Sequence, residues 1–311
     1  MRILFMGTPE IADRCLRGLL DAGRDVIGVV CQPDKPKGRG NKMTPPPTKI
    51  TAEERGIPVF QPITFRDGAF LPTLEALHPD VIVVVAYGKI LPSYVLHTPP
   101  YGCINLHVSL LPAYRGAAPM QRAIMDGNTE TGVTVMYMDE GMDTGDMIHT
   151  AAFPILPADD YGTVSRKASD IGLPLLLRTL DELAEGTAPR TPQNHTGATH
   201  AAKIEKEECK LDFTKSAAAL DCLIRALSPA PLAFCRDGKG RMCKIVSARP
   251  TNGRGEPGRV LSVSDRGEGE IVIACGEGAL AVTALVPEGK NRMEAAAFVR
   301  GRGAAAGDLF S

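Results

Sequence analysis

Apolar residues in the first half of the chain form short continuous runs, separated by stretches in which they recur at helical spacing. The run at residues 2–6 is followed by apolar positions with a helical period from Ile11 to Leu20. This pattern predicts a strand and then a helix, with Pro9 in its first turn and Thr8 as its cap. Similar runs predict four further buried strands, at residues 26–31, 81–86, 102–107 and 132–138.

Val- and Ile-rich strands that alternate with helices are typical of a parallel sheet buried on both faces. We therefore predict an α/β fold with a Rossmann-like, mostly parallel sheet and helices on both faces. In such folds the binding site lies beyond the carboxyl ends of the strands. Polar residues near those strand ends are accordingly the first candidates for a functional site.

The second half of the chain has a different pattern. Residues 187–201 are rich in Pro, Thr, Gly, His and Asn, a composition typical of a linker. After it, residues 211–227 have helical spacing, and short apolar runs alternate with glycine turns at residues 243–246, 258–263, 271–274 and 279–285. The pattern predicts a first domain at residues 1–186, a linker at 187–204 and a smaller β-barrel domain at 205–311.

The 311-residue chain is long enough for two domains with separate cores. Its 44% hydrophobic and 23% charged residues, with a formal net charge of -1, are typical of a globular protein. The longest apolar run, residues 81–86, is far shorter than the roughly 20 residues of a membrane-spanning helix. The N-terminus lacks a signal-peptide pattern. We expect a cytoplasmic protein without membrane association, and no feature of the chain indicates an obligate protein partner.

Eight cysteines are scattered along the chain without a Cys-x-x-Cys pair. This spacing does not support a zinc ribbon or a thioredoxin-like redox site. A disulfide framework is more typical of short secreted chains. We expect reduced thiols and no bound metal.

Charge is distributed unevenly between the two halves. Residues 1–202 carry 18 Lys and Arg against 22 Asp and Glu, whereas residues 203–311 carry 17 against 14. Between residues 225 and 266 there are nine basic and three acidic side chains. A positive surface on the barrel would explain this count, and solvated loops explain it equally well.

A polar pair interrupts the strand predicted at residues 102–107. Because side chains alternate along a strand, Asn105 and His107 point to the same face. A strand buried on both faces normally carries apolar residues at such positions, since an unpaired buried polar group is costly. Two satisfied core residues would also explain the pair, but the Pro- and Gly-containing loop that follows favours a functional site.

A glycine-punctuated acidic loop, Asp139–Asp146, follows the strand predicted to end at Met138. Its register excludes an EF-hand calcium loop, because Thr150 stands at the twelfth position, where Glu is required. A solvated turn remains an alternative. Since the loop follows the carboxyl end of a strand, we expect it on the same rim as Asn105 and His107, where a carboxylate could hold the imidazole.

Together these motifs resemble the signature of the folate-dependent formyltransferases. The resemblance lies in Asn105-Leu-His-Val-Ser-Leu-Leu-Pro-Ala-Tyr-Arg-Gly116 and Asp143-Thr-Gly-Asp146. Further blocks extend it over nearly the whole chain and are similar to the branch of the family that acts on methionyl-tRNA. Among them are Met6-Gly-Thr-Pro-Glu10, Gln32-Pro-Asp-Lys-Pro-Lys-Gly-Arg-Gly40, Val83-Val-Val-Ala-Tyr-Gly-Lys-Ile-Leu-Pro92 and Gly289-Lys-Asn-Arg-Met293.

The resemblance implies a Rossmann-like formyltransferase domain followed by an OB-like barrel that holds tRNA. It implies that Asn105, His107 and Asp143 are catalytic, that 10-formyltetrahydrofolate is the formyl donor and that methionyl initiator tRNA is the acceptor. The product would be N-formylmethionyl-tRNA for translation initiation. The implied folate site consists of two segments, the first with largely backbone contacts: Tyr87, Gly88, Lys89, Ile90 and Leu91, and Ser109, Leu110, Leu111 and Pro112.

A mechanism follows from the implied trio. The methionyl amine attacks the formyl carbon, and negative charge develops on the formyl oxygen. We expect the Asn105 amide and an N–H of His107 to donate hydrogen bonds to that oxygen. Asp143 would orient His107, favour its protonated form and help to take the proton from the amine.

Four basic residues stand close together in a Gly- and Pro-containing stretch: Lys35, Lys37, Arg39 and Lys42. Their composition alone favours a solvated loop. In relatives the corresponding loop engages the acceptor end of the tRNA, so the resemblance implies that these side chains contact tRNA phosphates.

Other functions are compatible with parts of the pattern. A nucleotide-sugar or glycinamide ribonucleotide formyltransferase would share the chemistry, although the latter would need no basic second domain and a fuller phosphate-binding loop than Gly7-Thr-Pro. A formyl-folate hydrolase would share the trio without an amine acceptor. A catalytically silent tRNA-binding protein would have no reason to keep Asn105, His107 and Asp143 together.

Overall fold

The computed structural model of the chain describes residues 1–37, 42–66 and 68–311. They form two compact units. The first consists of Met1–Pro119, Glu130–Phe153 and Ser165–Ala201. The second consists of Met120–Thr129, Pro154–Val164 and Ala202–Ser311, so it includes two stretches that precede the predicted linker.

Helices and strands alternate in the first part of the chain, and strands dominate the last part. The helices are α1 (Glu10–Asp21), α2 (Pro47–Glu54), α3 (Leu71–Leu77), α4 (Ser93–His97), α5 (Pro119–Met125), α6 (Tyr161–Glu185), α7 (Ala217–Leu227) and α8 (Ala295–Arg300). The strands before residue 202 are β1 (Arg2–Gly7), β2 (Asp25–Val30), β3 (Lys35–Lys37), β4 (Lys42–Thr44), β5 (Val59–Phe60), β6 (Val81–Val85), β7 (Cys103–His107), β8 (Arg115–Gly116), β9 (Glu130–Tyr137), β10 (Met147–Pro154) and β11 (His200–Ala201). The later strands are β12 (Ala233–Arg236), β13 (Met242–Thr251), β14 (Val260–Ser264), β15 (Glu270–Ala274), β16 (Ala279–Pro287) and β17 (Met293–Glu294).

A seven-stranded sheet forms the centre of the first unit, in the order β10-β9-β7-β6-β1-β2-β5. Five neighbouring strands of this sheet pair in parallel, in the order β7, β6, β1, β2 and β5. Strand β9 pairs antiparallel to β7. All five residues of β6 are buried, as expected for a strand covered on both faces. The predicted Rossmann-like, mostly parallel sheet is confirmed.

The second unit contains a six-stranded sheet in the order β12-β13-β16-β15-β14, with β17 paired to β16. The pairs in this sheet are antiparallel. Its buried face packs against α7 and α8 around residues such as Leu220, Ile224, Ile245 and Phe298. The predicted smaller β domain is confirmed.

Two predicted helix starts are wrong. Thr8 does not cap α1, because its hydroxyl accepts a hydrogen bond from the Gln32 backbone N–H and the N-cap position is Pro9, without a side-chain cap. The helix predicted from residue 211 begins only at Ala217, where the Ser216 hydroxyl accepts from the Ala219 N–H. Apolar spacing alone does not reveal where such a cap interrupts the chain.

Within the described ranges, no helix combines the length and the apolar character needed to cross a membrane.

Candidate active site

Strand β7 carries the polar pair, and its neighbours define the surroundings. Asn105 lies opposite Val84 of β6 and Met136 of β9, and His107 lies opposite Thr134 of β9. Asn105 is 9% exposed and His107 is 5% exposed. The pair therefore sits in a nearly dry environment, where hydrogen bonds and charges act more strongly than in water.

The two ring nitrogens of His107 have different partners. Nε2 lies 2.9 Å from the carbonyl oxygen of Tyr114, which can only accept, so Nε2 carries a hydrogen. Nδ1 lies 3.6 Å from Oδ2 of Asp143. The Nε2 hydrogen is committed to the protein, and in the neutral ring Nδ1 therefore presents a lone pair.

Burial lowers the pKa of His107 below its usual value, and the Arg115 charge lowers it further. The carboxylate of Asp143 and the Tyr114 carbonyl act in the opposite direction. The expected effect of Asp143 is thus present, but burial outweighs it and favours the neutral imidazole at neutral pH.

The Asn105 side chain is available for hydrogen bonding to a ligand. Within the described ranges its carboxamide makes no hydrogen bond, although the residue is almost fully buried. Its side-chain N and O are not among the fully buried polar atoms that lack a partner, so the carboxamide reaches solvent. The amide N–H groups are therefore available to an acceptor atom of a bound molecule.

The Asp143 loop reaches His107 by a route that differs from the expected one. Because β9 runs antiparallel to β7, its carboxyl end, with Tyr137, lies beside Ile104 near the start of β7. The expectation that the loop follows a strand end on the same rim as His107 is wrong. Asp143 nevertheless faces the imidazole, because the loop extends beyond the end of β9 before it leads into β10.

Two backbone features hold the carboxylate of Asp143. The Gly116 N–H donates to Oδ2 at 2.8 Å, and Asp143 itself has a left-handed φ of 53°. A side chain at Gly116 would not fit, because a Cβ there would lie 2.8 Å from the Ala201 carbonyl oxygen. The sequence indicates Gly116 only as part of a loop, yet its N–H is a direct partner of the site.

A cavity of about 140 Å³ adjoins Asp143. Its lining combines apolar side chains with the acidic loop, and it includes Lys89, Ile90, Leu91, Met136, Met138, Asp139, Glu140, Gly141, Met142 and Asp143. Ile90 is 81% exposed and Met142 is 55% exposed. Large apolar side chains that are solvent-exposed beside a cavity are typical of a ligand-binding rim.

The predicted folate segment at residues 87–91 is only partly directed to this cavity. Lys89, Ile90 and Leu91 line it. The Tyr87 ring packs edge to face with Phe65 in the core, and burial raises the pKa of its hydroxyl. Gly88, at φ 79°, allows the chain to turn outwards, and a Cβ there would meet open space.

The second predicted folate segment is fixed by β9. Ser109 is fully buried and donates to the Ala113 carbonyl at 2.6 Å, and the Thr134 hydroxyl bridges the Ser109 carbonyl and the Leu111 N–H. Leu110 and Pro112 are partly exposed. These four residues do not belong to the lining of the 140 Å³ cavity.

The basic stretch is described at its two ends. Lys35 and Lys37 lie on β3, which pairs antiparallel with β4, where Lys42 lies. The side chains of Lys35 and Lys42 are exposed. Burial lowers the pKa of Lys89, and the nearby positive charge of Lys35 lowers it further. Arg39 lies outside the described residues.

Comparison with protein families decides the class of this chain. A model described as "Formyl transferase" matches residues 1–180, and one described as "Formyl transferase, C-terminal domain" matches residues 203–303. The chain belongs to the formyl transferase family. The match places Asn105, His107 and Asp143 of this formyl transferase within its N-terminal family region.

Solved structures share the fold of this formyl transferase. HypX from Aquifex aeolicus in complex with tetrahydrofolic acid is 20% identical, with a TM-score of 0.70 over 97% of this chain and 47% of that chain. An N-formyltransferase from Helicobacter canadensis in complex with folinic acid and dTDP-3-aminofucose is 18% identical, with a TM-score of 0.62 over 90% and 98%. Glycinamide ribonucleotide transformylase 1 from Symbiobacterium toebii is 22% identical, with a TM-score of 0.51 over 62% and 93%. The chain spans about half the length of HypX.

Proposed function

We propose that this formyl transferase moves the formyl group of 10-formyltetrahydrofolate to the α-amino group of methionyl initiator tRNA. Residues 1–186 would form the catalytic domain and residues 205–311 a tRNA-binding domain. Residues 187–204 would link them, with part of this linker packed on the catalytic domain. The product, N-formylmethionyl-tRNA, would serve translation initiation.

One observation carries the proposed chemistry: an uncommitted amide, a neutral imidazole nitrogen and a carboxylate meet in a buried place. Nδ1 of His107 lies 3.6 Å from the Asp143 carboxylate. Asn105 stands two residues before His107, on the same strand face. Within the described ranges the Asn105 carboxamide has no protein partner and is not one of the fully buried unpaired groups, so it is free to bind a ligand atom.

Each member of the trio has a separate task in this proposal. The Asn105 amide donates to the formyl oxygen, where negative charge develops as the amine attacks. Nδ1 of His107 accepts the proton of the attacking amine, because its lone pair is available in the neutral ring. The carboxylate of Asp143 stabilises the resulting imidazolium, which gives the proton to N10 of the folate as the C–N10 bond breaks and tetrahydrofolate leaves. Since Nε2–H is bound to Tyr114, His107 can donate to the formyl oxygen only through a protonated Nδ1.

The cavity beside Asp143 supports a folate as the donor. Leu91, Met136 and Met138 provide apolar walls for a flat ring system, and the exposed Ile90 and Met142 can cover its faces. Neutral backbone groups around Gly88 can meet the polar edge of a pterin. The Helicobacter canadensis enzyme and HypX, whose structures contain folates, share this fold.

The methionyl-tRNA acceptor is supported by the distribution of charge. Residues 203–311 carry more basic than acidic side chains, 17 against 14. Lys35 and Lys42 add exposed positive charge to the first unit. Phosphate contacts from Lys and Arg supply most of the affinity for nucleic acids. We assign Lys35, Lys37, Arg39 and Lys42 to the acceptor end of the tRNA.

A cytoplasmic location is part of the same proposal. All eight cysteines have free thiols, and seven of them are buried. Free thiols are typical of proteins in reducing compartments. No group of three or more His, Cys, Asp or Glu side chains suited to a metal occurs among residues 1–37, 42–66 and 68–311.

The experiment offers isotope-labelled 10-formyltetrahydrofolate together with several acceptors. Methionyl initiator tRNA is compared with uncharged tRNA, free methionine, glycinamide ribonucleotide and a dTDP-amino sugar. We expect label only in methionyl-tRNA, and hydrolysis of the aminoacyl ester should release it from the tRNA as labelled N-formylmethionine. Label in the amino sugar would replace the proposed acceptor with the sugar class that the Helicobacter canadensis complex contains.

A further inference from the structure

The segment of residues 191–201 packs on both partners of the His107 imidazole. Its first residue, Thr191, exchanges two backbone hydrogen bonds with Met147, just after the Asp143 loop. Its last residues, His200 and Ala201, form β11, which pairs in parallel with Arg115 and Gly116. The sequence pattern of this segment predicts only a linker.

Tyr114 is held by this segment. Its backbone N–H donates to the Thr199 hydroxyl at 2.8 Å, and the next N–H, of Arg115, donates to the Thr199 carbonyl at 2.9 Å. The carbonyl of Tyr114 is the acceptor for Nε2 of His107. The segment therefore fixes the group that orients the ring.

Gln193 holds the other partner. It is 5% exposed, and its Nε2 donates to the Asp143 carbonyl at 3.0 Å and to the Gly145 carbonyl at 2.7 Å. Its Oε1 accepts from Nε and Nη2 of Arg115, at 3.2 and 2.6 Å. Every polar atom of the Gln193 side chain is thus engaged between Arg115 and the Asp143 loop.

The two ends of the amide cannot be exchanged. Arg115 can only donate, so it selects the oxygen of Gln193 and leaves the NH2 group to face the two carbonyls. Glu has nearly the same shape but would place a carboxylate against both carbonyls. The site therefore requires an amide of this length at residue 193.

Asp143 needs such support because of its backbone. Its φ of 53° is left-handed, a conformation that costs a non-glycine residue of order 1 kcal/mol or more. Gln193 binds the carbonyl of this same residue, while Gly116 binds its carboxylate. Both contacts are needed to keep Oδ2 in front of Nδ1 of His107.

We propose that Gln193 is a positioning residue for formyl transfer, which clamps the carbonyls of Asp143 and Gly145 so that the Asp143 carboxylate faces His107. This inference rests on the proposed role of Asp143 in the reaction, and it does not depend on which amine is the acceptor. Gln193 touches neither the reacting atoms nor the 140 Å³ cavity.

The test uses the full chain with Gln193→Met, which keeps the length and removes all hydrogen bonds, and Gln193→Glu, which keeps the acceptors for Arg115. Asn194→Ala is the matched control, since Asn194 is exposed and only caps a short 3-10 turn through Thr196. We expect kcat to fall about 100-fold in both Gln193 variants, the cost of a small displacement of a catalytic group. KM for the folate should be unchanged, and the control should match wild type.

A second readout needs no acceptor: the 15N NMR titration of the His107 imidazole. The charges that act on this ring are Asp143, which raises its pKa, and Arg115, which lowers it. Release of the Asp143 loop removes the first effect, so the midpoint should move to lower pH in Gln193→Met, which adds no charge. A residue that served stability alone would not change this midpoint in a folded variant.

Several outcomes would overturn the inference. Folded Gln193 variants with wild-type kcat, or a folded Gln193→Met with a lower kcat and an unchanged His107 titration, would exclude a positioning role. Loss of cooperative thermal unfolding in both variants would assign Gln193 to stability instead. If methionyl-tRNA is not formylated by wild type, the proposed acceptor fails, whereas the NMR comparison still tests Gln193.

Discussion

Oδ2 of Asp143 lies 3.6 Å from Nδ1 of His107, although the strand that leads to Asp143 runs antiparallel to the strand of His107. The loop after β9 therefore starts near the beginning of β7 and extends to the imidazole. One consequence is the small cavity enclosed between this loop and residues 89–91. The loop both completes the trio and forms a wall of the proposed folate site.

The lowered pKa of His107 leads to a prediction about pH. Because burial holds the pKa below the ordinary value of 6.5, the ring stays neutral at neutral pH and loses its free lone pair only in more acidic solution. We expect His107 to contribute a loss of kcat/KM as pH decreases through this lowered pKa, in addition to the loss that protonation of the substrate amine causes nearer neutral pH. The 15N titration of His107 assigns this contribution. A 15N midpoint above 6.5 would contradict the account.

Asn105→Ala separates catalysis from stability. The variant removes the donor proposed for the formyl oxygen, so we expect kcat to fall about 10²- to 10³-fold. The carboxamide has no hydrogen bond to the described residues, so the thermal midpoint of unfolding should not decrease. Steady-state kinetics and calorimetry on the same preparation measure both quantities. A normal kcat in the folded variant would remove Asn105 from the mechanism.

Gly116→Ala tests the backbone that holds Asp143. At φ 119°, a Cβ would lie 2.8 Å from the Ala201 carbonyl, so we expect a loss of about 3 kcal/mol or more in the free energy of unfolding and a low kcat. Gly186→Ala is the matched control, with φ 70° and open space around the new Cβ. It should cost only about 1–2 kcal/mol and leave kcat unchanged. Denaturant titrations compare the two, and equal losses would show that the close approach to Ala201 is not a constraint.

The sequence predicts the sheet better than it predicts the site. Buried runs such as residues 81–85 identify strands because their apolar character is continuous, and the alternation in β7 correctly puts Asn105 and His107 on one face. The direction of β9 cannot be predicted from its own residues, because a buried apolar strand can have the same hydrophobic pattern in a parallel and in an antiparallel pair. It depends on pairing with β7, which only the folded chain shows.

Gln193 shows why part of the site is not predictable from sequence. It lies in a stretch rich in Pro, Thr and Gly, where no periodicity separates a buried amide from an exposed one. Its partner Arg115 is 78 residues away along the chain, and its partners Asp143 and Gly145 are 50 and 48 residues away. By contrast, Met136 and Met138 are two residues apart, and the alternation used for β7 could have identified them as one wall of the cavity.

Lys35 and Lys42 test the nucleic-acid partner. Both are exposed, so their replacement by Ala should preserve the fold and weaken binding of methionyl-tRNA. Removal of one lysine–phosphate interaction should lower the slope of log affinity against log salt by about 1. Filter binding at several salt concentrations measures this. Arg55→Ala is the control of equal charge, because Arg55 lies at the C-terminal end of α2 and pairs with Asp21. An equal change of the salt slope in Arg55→Ala would show that the effect comes from net charge alone and not from a contact of Lys35 or Lys42 with tRNA.

The proposed mechanism depends most on the Asp143 carboxylate, which stabilises the imidazolium that forms when His107 accepts the amine proton. The most direct measurement is the single-turnover rate of formyl transfer to methionyl-tRNA by Asp143→Asn, with both substrates saturating and their binding measured separately. Asn keeps the size of the side chain and an oxygen for the Gly116 N–H, but it removes the charge that stabilises the imidazolium. We predict a rate at least about 100-fold below wild type, with nearly unchanged binding of both substrates. A wild-type rate in this variant would contradict the account.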